Sequence, residues 1–210
     1  MDAGQSDREK TARSNPVFIR HRVNRIKDLG GVDPSHGVEI DLRTGDGKGS
    51  IILAHDPWET GDPFDAWLDR FTALGLKGPI VLNVKVDGVE PVVMRLLRDH
   101  GLEDWFFLDS QMPTLVHWTV RQGEERFAVR LSRYEPPELL DAFRGRVRWL
   151  WVDCFHGLPV SRELLQRAGE GFKVCLVSPE LQGAPVHAIA AFGDLLPLAQ
   201  AICTRHPEAW

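Results

Sequence analysis

The sequence predicts an α/β fold, a compact (β/α)8 TIM barrel with short loops, and three observations carry that expectation. Eight short apolar runs recur along the chain, segments with helical spacing separate most of them, and the whole fits into 210 residues. That length is near the small end for such a barrel, so the loops must be short. Strand, crossover helix, strand is how parallel neighbours are joined, and closure into a ring is the natural arrangement for eight of them. An open doubly wound sheet is the alternative. It lacks support, because no GxGxxG or P-loop follows the first run.

The elements follow in order. Residues 1–16 are a polar N-terminal tail, and residues 17–210 form a single domain. The first strand is Val17 to Arg22; the interval Val23 to Leu29 is short and charged and gives no clear helix. Gly37 to Leu42 is the second strand. Gly45, Gly47 and Gly49 resemble a phosphate loop at first sight, but the polar stretch Thr44 to Ser50 reads better as a turn joining Ile40–Leu42 to Ile51–Leu53, a small extension of that strand. Phe64, Trp67, Leu68, Phe71 and Leu74 stripe one face of a helix. Pro79 to Lys85 is the third strand, and Val92, Val93, Leu96 and Leu97 stripe a second helix that stops at Gly101. Strands Trp105 to Leu108, Phe127 to Leu131, Trp149 to Asp153, Lys173 to Val177 and Ala201 to Thr204 complete the eight. Helices over Pro113 to Arg121, Pro136 to Phe143, Ser161 to Ala168 and Pro185 to Ala199 connect them, with Pro or Ser at the starts.

Composition narrows the classes of function. The chain is 43% hydrophobic and 26% charged, enough for one core, and 25 Lys plus Arg against 30 Asp plus Glu give −5, which argues against a broadly basic nucleic-acid surface. The 19 Gly and 14 Pro are spread along the chain and imply tight turns. No run resembles a signal peptide or a membrane span, so a cytoplasmic protein is expected. Cys154, Cys175 and Cys203 show no CxxC spacing and read as reduced core residues.

Titratable groups gather at the carboxyl ends of the early strands, where a barrel of this type builds its active site. They are His21-Arg22, then Glu39 and Asp41 with His55-Asp56, then Asn83 and Lys85. Residues i and i+2 share a strand face, so Glu39 and Asp41 aim two carboxylates into one place, and the same parity pairs Asn83 with Lys85. Two inward carboxylates repel unless a proton or cation compensates. A hard divalent ion, Mg²⁺ or Ca²⁺, suits the oxygen ligands, and a salt bridge from Arg20, Arg22 or Lys85 is the plainer alternative. Paired with them, His21 and His55 can accept and donate a proton, as cleavage of a phosphodiester requires. Arg22 and Lys85 can offset the phosphate's charge. Later in the chain Trp151, Asp153 and Glu180 are candidate pocket residues at the mouth, and His156, His187 and His206 read as ordinary surface groups. No GxSxG elbow supports a serine hydrolase.

These residues carry a resemblance. HR at 21–22, GVEIDLR at 37–43, HD at 55–56, LNVK at 82–85 and the closing AICTRHPEAW at 201–210 resemble the glycerophosphodiester phosphodiesterase family, within the phospholipase-C-like phosphodiesterases. Order and approximate spacing agree over nearly the whole chain after Pro16. The resemblance implies a TIM barrel with His21 and His55 as the acid/base pair, Glu39 and Asp41 on a divalent cation, and Arg22 and Lys85 near the phosphate. It also implies that a neighbouring hydroxyl of the alcohol attacks phosphorus to give a cyclic phosphate, which water then opens. Three departures stand out. Asn83 occupies the place of a third acidic metal ligand, supplying an amide oxygen without charge. Pro57 to Phe64 leaves no room for the inserted substrate-recognition segment, so a standard glycerophosphodiester is not expected. His21 is followed by Arg22-Val23 without the usual glycine.

The function expected is therefore a metal-dependent phosphodiesterase acting on a small-molecule or lipid-derived phosphodiester. A catalytically silent barrel that binds a phosphorylated ligand or partner is the alternative, and the sequence leaves the oligomeric state open.

Overall fold

The computed structural model describes residues 15–47, 49–155, 157 and 161–210. All eight expected strands form: β1 (Val17–Arg20), β2 (Gly37–Thr44), β5 (Ile80–Val84), β6 (Trp105–Leu108), β7 (Ala128–Leu131), β8 (Trp149–Val152), β9 (Lys173–Val177) and β10 (Ala201–Thr204). The glycine turn after Thr44 leads into β3 (Ile51–Leu53), followed by β4 (Asp62–Pro63). Every barrel contact is parallel, in the order β6-β5-β2-β1-β10-β9-β8-β7. The last seam is thin: β6 meets the start of β7 through one parallel bridge, Phe107 to Phe127, with the Phe107 amide donating to the Arg126 carbonyl at 2.9 Å. The chain thus has the α/β barrel architecture that its pattern predicts.

β3 and β4 form an antiparallel flap on β2, with Leu42 opposite Leu53 and Ile52 opposite Pro63. β2 and β3 pair as the two arms of a hairpin, as expected; the Gly45 amide donates to the Ser50 carbonyl at 2.9 Å. Beyond Val38, β2 has outrun β1, and the flap covers the edge that β1 leaves open.

Helices α1 (Phe64–Ala73), α2 (Glu90–Asp99), α3 (Met112–Val116), α4 (Glu138–Phe143) and α5 (Arg162–Gly169) lie in the predicted intervals. α1 buries Phe64, Trp67, Leu68 and Phe71, the stripe read from the sequence, and α5 is capped by the Ser161 hydroxyl accepting from the Leu164 amide at 3.2 Å. Two connections differ from expectation. After α3 the chain widens into one π turn over His117–Arg121. The helix expected over Pro185–Ala199 is a run of 3-10 turns, Val186–Leu198, whose buried residues Ile189, Phe192, Leu195 and Leu198 recur every third position. A period of three matches the 3.0 residues per turn of that tighter helix, and Pro197 removes a donor from its last turn. The interval after β1 also folds as 3-10 turns, over Ile26–Gly31.

The core has two shells. One lies between sheet and helices; the other fills the barrel interior with Ile19, Val81, Phe106, Leu108, Trp149, Trp151, Cys175, Val177 and Cys203. Phe106 stacks on Trp149 at 4.6 Å near the base. This plug closes the barrel below, so inward residues above it form a floor rather than a pore. Close approach of the loop ends at the base needs glycine: a Cβ on Gly78 would sit 2.0 Å from the His36 carbonyl oxygen. Among the described residues no helix is long and apolar enough to cross a membrane.

Candidate active site

β1 ends at Arg20, and His21 and Arg22 lie in the turn that follows, not in the strand itself. Arg22 takes φ 56°, a left-handed conformation uncommon for a side chain with a Cβ. Its amide donates to Glu39 Oε2 at 2.8 Å, and the Trp67 indole of α1 donates to the Val23 carbonyl at 2.9 Å. These two bonds fix the turn between the barrel floor and the first helix. His21 Nε2 lies 3.7 Å from Glu39 Oε2. Its Nδ1 is buried without a hydrogen-bond partner among the described residues.

β2 supplies both carboxylates from one face. Glu39 and Asp41 are 1% and 0% exposed, level with Val81 and Asn83 of β5. Glu39 Oε1 accepts from Asn83 Nδ2 at 3.0 Å. Asp41 is held by Asn24, which donates to Oδ2 at 2.7 Å and accepts from the Asp41 amide at 2.9 Å. Lys85 Nζ is 3.2 Å from Asp41 Oδ1 and Arg22 Nε 3.9 Å from Oδ2. The lysine contact is an ion pair without hydrogen-bond alignment, which leaves Asp41 Oδ1 without a hydrogen bond among the described residues.

His55 arrives from the flap. The Ala54 amide donates to the Asp41 carbonyl at 3.1 Å, which brings the segment level with the carboxylates. Arg43 reinforces this by donating to the His55 carbonyl at 2.8 and 3.2 Å. The ring is gripped at both nitrogens, Nδ1 by Asp56 Oδ1 at 2.7 Å and Nε2 by the Arg22 guanidinium at 2.5 Å. Arg22 therefore joins the two histidine-bearing segments.

Electrostatics follow from burial. Burial and then the neighbouring Asp41 charge push Glu39 up to about 7, against hydrogen bonds from Asn83 and Arg22 that favour its charged form. Burial, followed by the charges of Arg22 and Arg205, lowers His21 to about 3, so it is neutral at pH 7. The residues fit a hard divalent cation by their donor chemistry: Glu39, Asp41 and Asn83 offer oxygens from adjacent strands, and Asp41 Oδ1 and Asn83 Oδ1 are buried without a hydrogen-bond partner among the described residues. The fit is low in charge, because only two of the three are acidic and Lys85 already faces one of them.

The later candidates make no direct contact with the two histidines or the β2 carboxylates, although Glu180 holds Thr204, whose carbonyl accepts from the His21 amide at 3.4 Å. Trp151 lines the interior beside Arg130 of β7. Asp153 pairs with Arg130 and accepts from Gln182 at 2.5 Å. Arg130 is held on its other side by Asp109 at 2.6 and 2.7 Å. Glu180 accepts from the Thr204 hydroxyl at 2.6 Å, the Arg205 amide at 3.0 Å and the Ser178 hydroxyl. These contacts brace strand ends; none of them reaches His21, His55 or the two β2 carboxylates. His206 pairs with Glu208 at 2.9 Å, and His156 lies outside the described residues.

Sequence reasoning missed Asn24 and the role of Arg43. Asn24 gives no signal by itself, since its partner Asp41 is 17 positions away. Arg43 was visible only as the end of a strand motif.

No family model and no curated protein matches this chain. Solved structures do. A glycerophosphodiester phosphodiesterase from Agrobacterium tumefaciens aligns with TM-score 0.68 and 13% identity over 92% of this chain and 98% of that one. An Oleispira antarctica phosphodiesterase, in complex with the product sn-glycerol-3-phosphate, gives TM-score 0.67 and 15% identity over 92% and 94%. A tryptophan synthase from M. tuberculosis aligns at 0.58 and 15% over 90% and 82%, so the likeness at these identities establishes the barrel and leaves the chemistry to the site.

Proposed function

We propose that this barrel, shared in fold with glycerophosphodiester phosphodiesterases, is a metal-dependent phosphodiesterase in which residues 17–210 form one catalytic domain. The observation that carries the reading is the convergence of His21, His55 and Arg22 over two buried carboxylates, from three segments distant in sequence. Glu39, Asp41 and Asn83 would hold Mg²⁺ or Ca²⁺, which supplies Lewis-acid stabilisation of the phosphate's charge. Arg22 and Lys85 lie beside the same carboxylates and would bind the non-bridging phosphate oxygens. His21 accepts the proton of the attacking hydroxyl on the alcohol; in the free protein burial and the Arg22 charge make it a weak base, and the negative charge of a bound diester would raise its basicity. His55, oriented through Nδ1 by Asp56, protonates the leaving oxygen as the P–O bond breaks. The roles then reverse: His55 takes a proton from water, His21 returns its proton to the opening cyclic ester, and the phosphomonoester leaves.

The substrate class is a small-molecule or lipid-derived phosphodiester, and the short Pro57 to Phe64 segment argues against a standard glycerophosphodiester. We place the protein in the cytoplasm, consistent with three free cysteines. Purified protein is expected to turn over a panel of phosphodiesters with Mg²⁺ or Ca²⁺, and His21→Ala and His55→Ala, each folded by circular dichroism, to lose about 100-fold or more. Absence of turnover across the panel with either metal would end this reading.

A silent phosphate-binding barrel is the second reading. It is favoured by the uncharged Asn83 and by Arg22 standing 2.5 Å from His55 Nε2, where a proton would have to pass. It predicts thermal protection by phosphomonoesters without product formation.

A further inference from the structure

The large apolar side chains that this protein exposes are not scattered. Among the described residues they are Trp58, Met112, Val120, Tyr134 and Val186. Four of the five ride on segments that leave the carboxyl ends of the strands, the end where His21 and His55 meet. Trp58 follows His55 by three residues in the loop between β3 and β4, so the two lie within about 10 Å of each other along the chain. Met112 opens α3, just past the end of β6; Tyr134 stands just past the end of β7; Val186 begins the run of 3-10 turns that follows β9. Val120 alone, in the π turn that leads back towards the start of β7, lies towards the base.

Trp58 is the extreme case. It is 99% exposed, and its backbone takes φ 69°, a left-handed conformation that Asn or Gly holds with less strain than an aromatic residue. Neither the turn nor packing within the chain accounts for a tryptophan there. Tyr134, 67% exposed, meets the half-buried ring of Phe155 from the segment after β8 at 5.9 Å, with the Arg133 guanidinium 5.7 Å from its own ring. In the ring of strands β8 stands four places from β2, so the Trp58 loop and the Tyr134–Phe155 pair flank the opening from opposite sides. The neighbouring charges narrow what this face can meet. On the segments 54–61, 109–112, 132–137 and 178–186 the acids Asp56, Glu59, Asp109, Glu135 and Glu180 stand against one permanent cation, Arg133, in a chain of net charge −5. Nothing there attracts an anionic surface, and apolar insertion is what remains. A protein interface gathers its apolar residues into one packed centre. Here single side chains project from separate loops around an opening, and a fluid lipid surface can close round each of them. Trp and Tyr, apolar rings with a polar N–H or O–H, match the boundary between headgroups and acyl chains.

We infer that this face docks on a zwitterionic lipid bilayer, with the rings of Trp58 and Tyr134 set among the headgroups and the active-site opening turned towards the lipid. The docking stands on exposure and placement alone. That it delivers a lipid-borne diester to His21 and His55 rests on the phosphodiesterase reading, and it selects the lipid-derived substrates from the class proposed above.

The experiment is cosedimentation of the purified chain with phosphatidylcholine vesicles. Binding is expected to hold from about 0.1 M to about 0.5 M NaCl, because apolar insertion is not screened, and not to increase when anionic lipid is added. Trp58→Asn suits the left-handed turn and removes no buried contact, so it should melt as the wild type does while its partition to lipid falls about 10-fold; adding Tyr134→Ser should bring binding to background. Acyl-chain-brominated phosphatidylcholine should quench part of the wild-type tryptophan emission, and that response should be lost in Trp58→Asn. Absence of binding, binding that needs anionic lipid and disappears at high salt, or binding that survives the double variant would overturn the docking face. So would a wild-type dimer that the double variant dissociates while neither binds vesicles, since the rim would then be a protein interface. A substrate pair separates this failure from that of the reaction: the 4-nitrophenyl phosphodiester of glycerol in solution, and the same ester carrying a palmitoyl chain on the far hydroxyl, held in the vesicles. The double variant should lower the rate on the vesicle-borne ester about 10-fold and leave that on the soluble one within about 2-fold, because docking acts through local concentration. Vesicle binding without turnover of either ester would retain the docking face and remove the hydrolase; turnover without vesicle binding would do the reverse.

Discussion

Asn83 sets the charge of the proposed metal site. Its amide nitrogen is spent on Glu39, and its orphaned oxygen is the only part left to face a cation. Asn83→Asp adds a negative charge beside Asp41, so Mg²⁺ affinity by calorimetry is expected to rise about 10-fold, an effect on the order of 1.4 kcal/mol. Without metal the same variant is expected to unfold at lower temperature, because a third buried carboxylate has no new cation to meet it. His55 depends in a similar way on Asp56: Asp56→Asn should keep the fold and lower kcat about 10-fold or more by loosening the ring, with KM less affected. Several of these residues were legible early. The i, i+2 spacing of Glu39 and Asp41 gave the shared face, and the two histidines were readable by position after strands. The partnership of Asn24 with Asp41 was not, because it is set by where the turn after β1 lands on β2 and leaves no local pattern.

At the scale of elements, α1 and α2 are joined by one titratable clasp. His100 at the end of α2 bonds the Leu96 carbonyl at 2.8 Å through Nδ1 and Asp69 of α1 at 3.1 Å through Nε2. Burial alone would lower the His100 pKa, but the Leu96 carbonyl and Asp69 outweigh it and hold it above its ordinary value. A histidine raised on folding contributes stability that is whole below its unfolded pKa near 6.5 and lost as pH rises through the folded value. Since Asp69 is 79% exposed, solvent screening limits the contribution to under about 0.5 kcal/mol. Because Glu39 and His21 also change protonation on unfolding in this range, the clasp is read from a difference: the urea-midpoint advantage of the wild type over Asp69→Asn is expected to shrink from pH 6 to pH 9. Gly78 gives a sharper test: Ala there collides with the His36 backbone, and a loss of about 1–3 kcal/mol in chemical denaturation is expected. Strands and amphipathic helices were readable from apolar spacing. The 3-10 run over Val186–Leu198 was readable too, in its every-third-residue pattern, but reading it as α-helix ignored the difference between three and 3.6.

For the molecule as a whole, closure depends on the Phe107–Phe127 bridge, where the rings lie 5.0 Å apart and both residues are fully buried. Phe127→Ala is expected to cost about 3–5 kcal/mol and to open this seam before any other. In hydrogen exchange the Phe107 amide should lose protection ahead of the amides in β2 and β5, whose register spans five consecutive pairs. The barrel itself was legible from eight apolar runs alternating with helices. The uneven strength of its seams was not, since a run of apolar residues does not record how many ladder bonds its neighbour offers.

The antiparallel flap that delivers His55 is built apart from the ring that delivers His21. Exchange of this single hairpin for one of another length would resettle one imidazole relative to the other while the eight parallel strands stay as they are. Such a division makes the chemistry a graft on the scaffold: relatives could diverge in leaving group, or fall silent, through a change in a dozen residues, and an engineer could do the same.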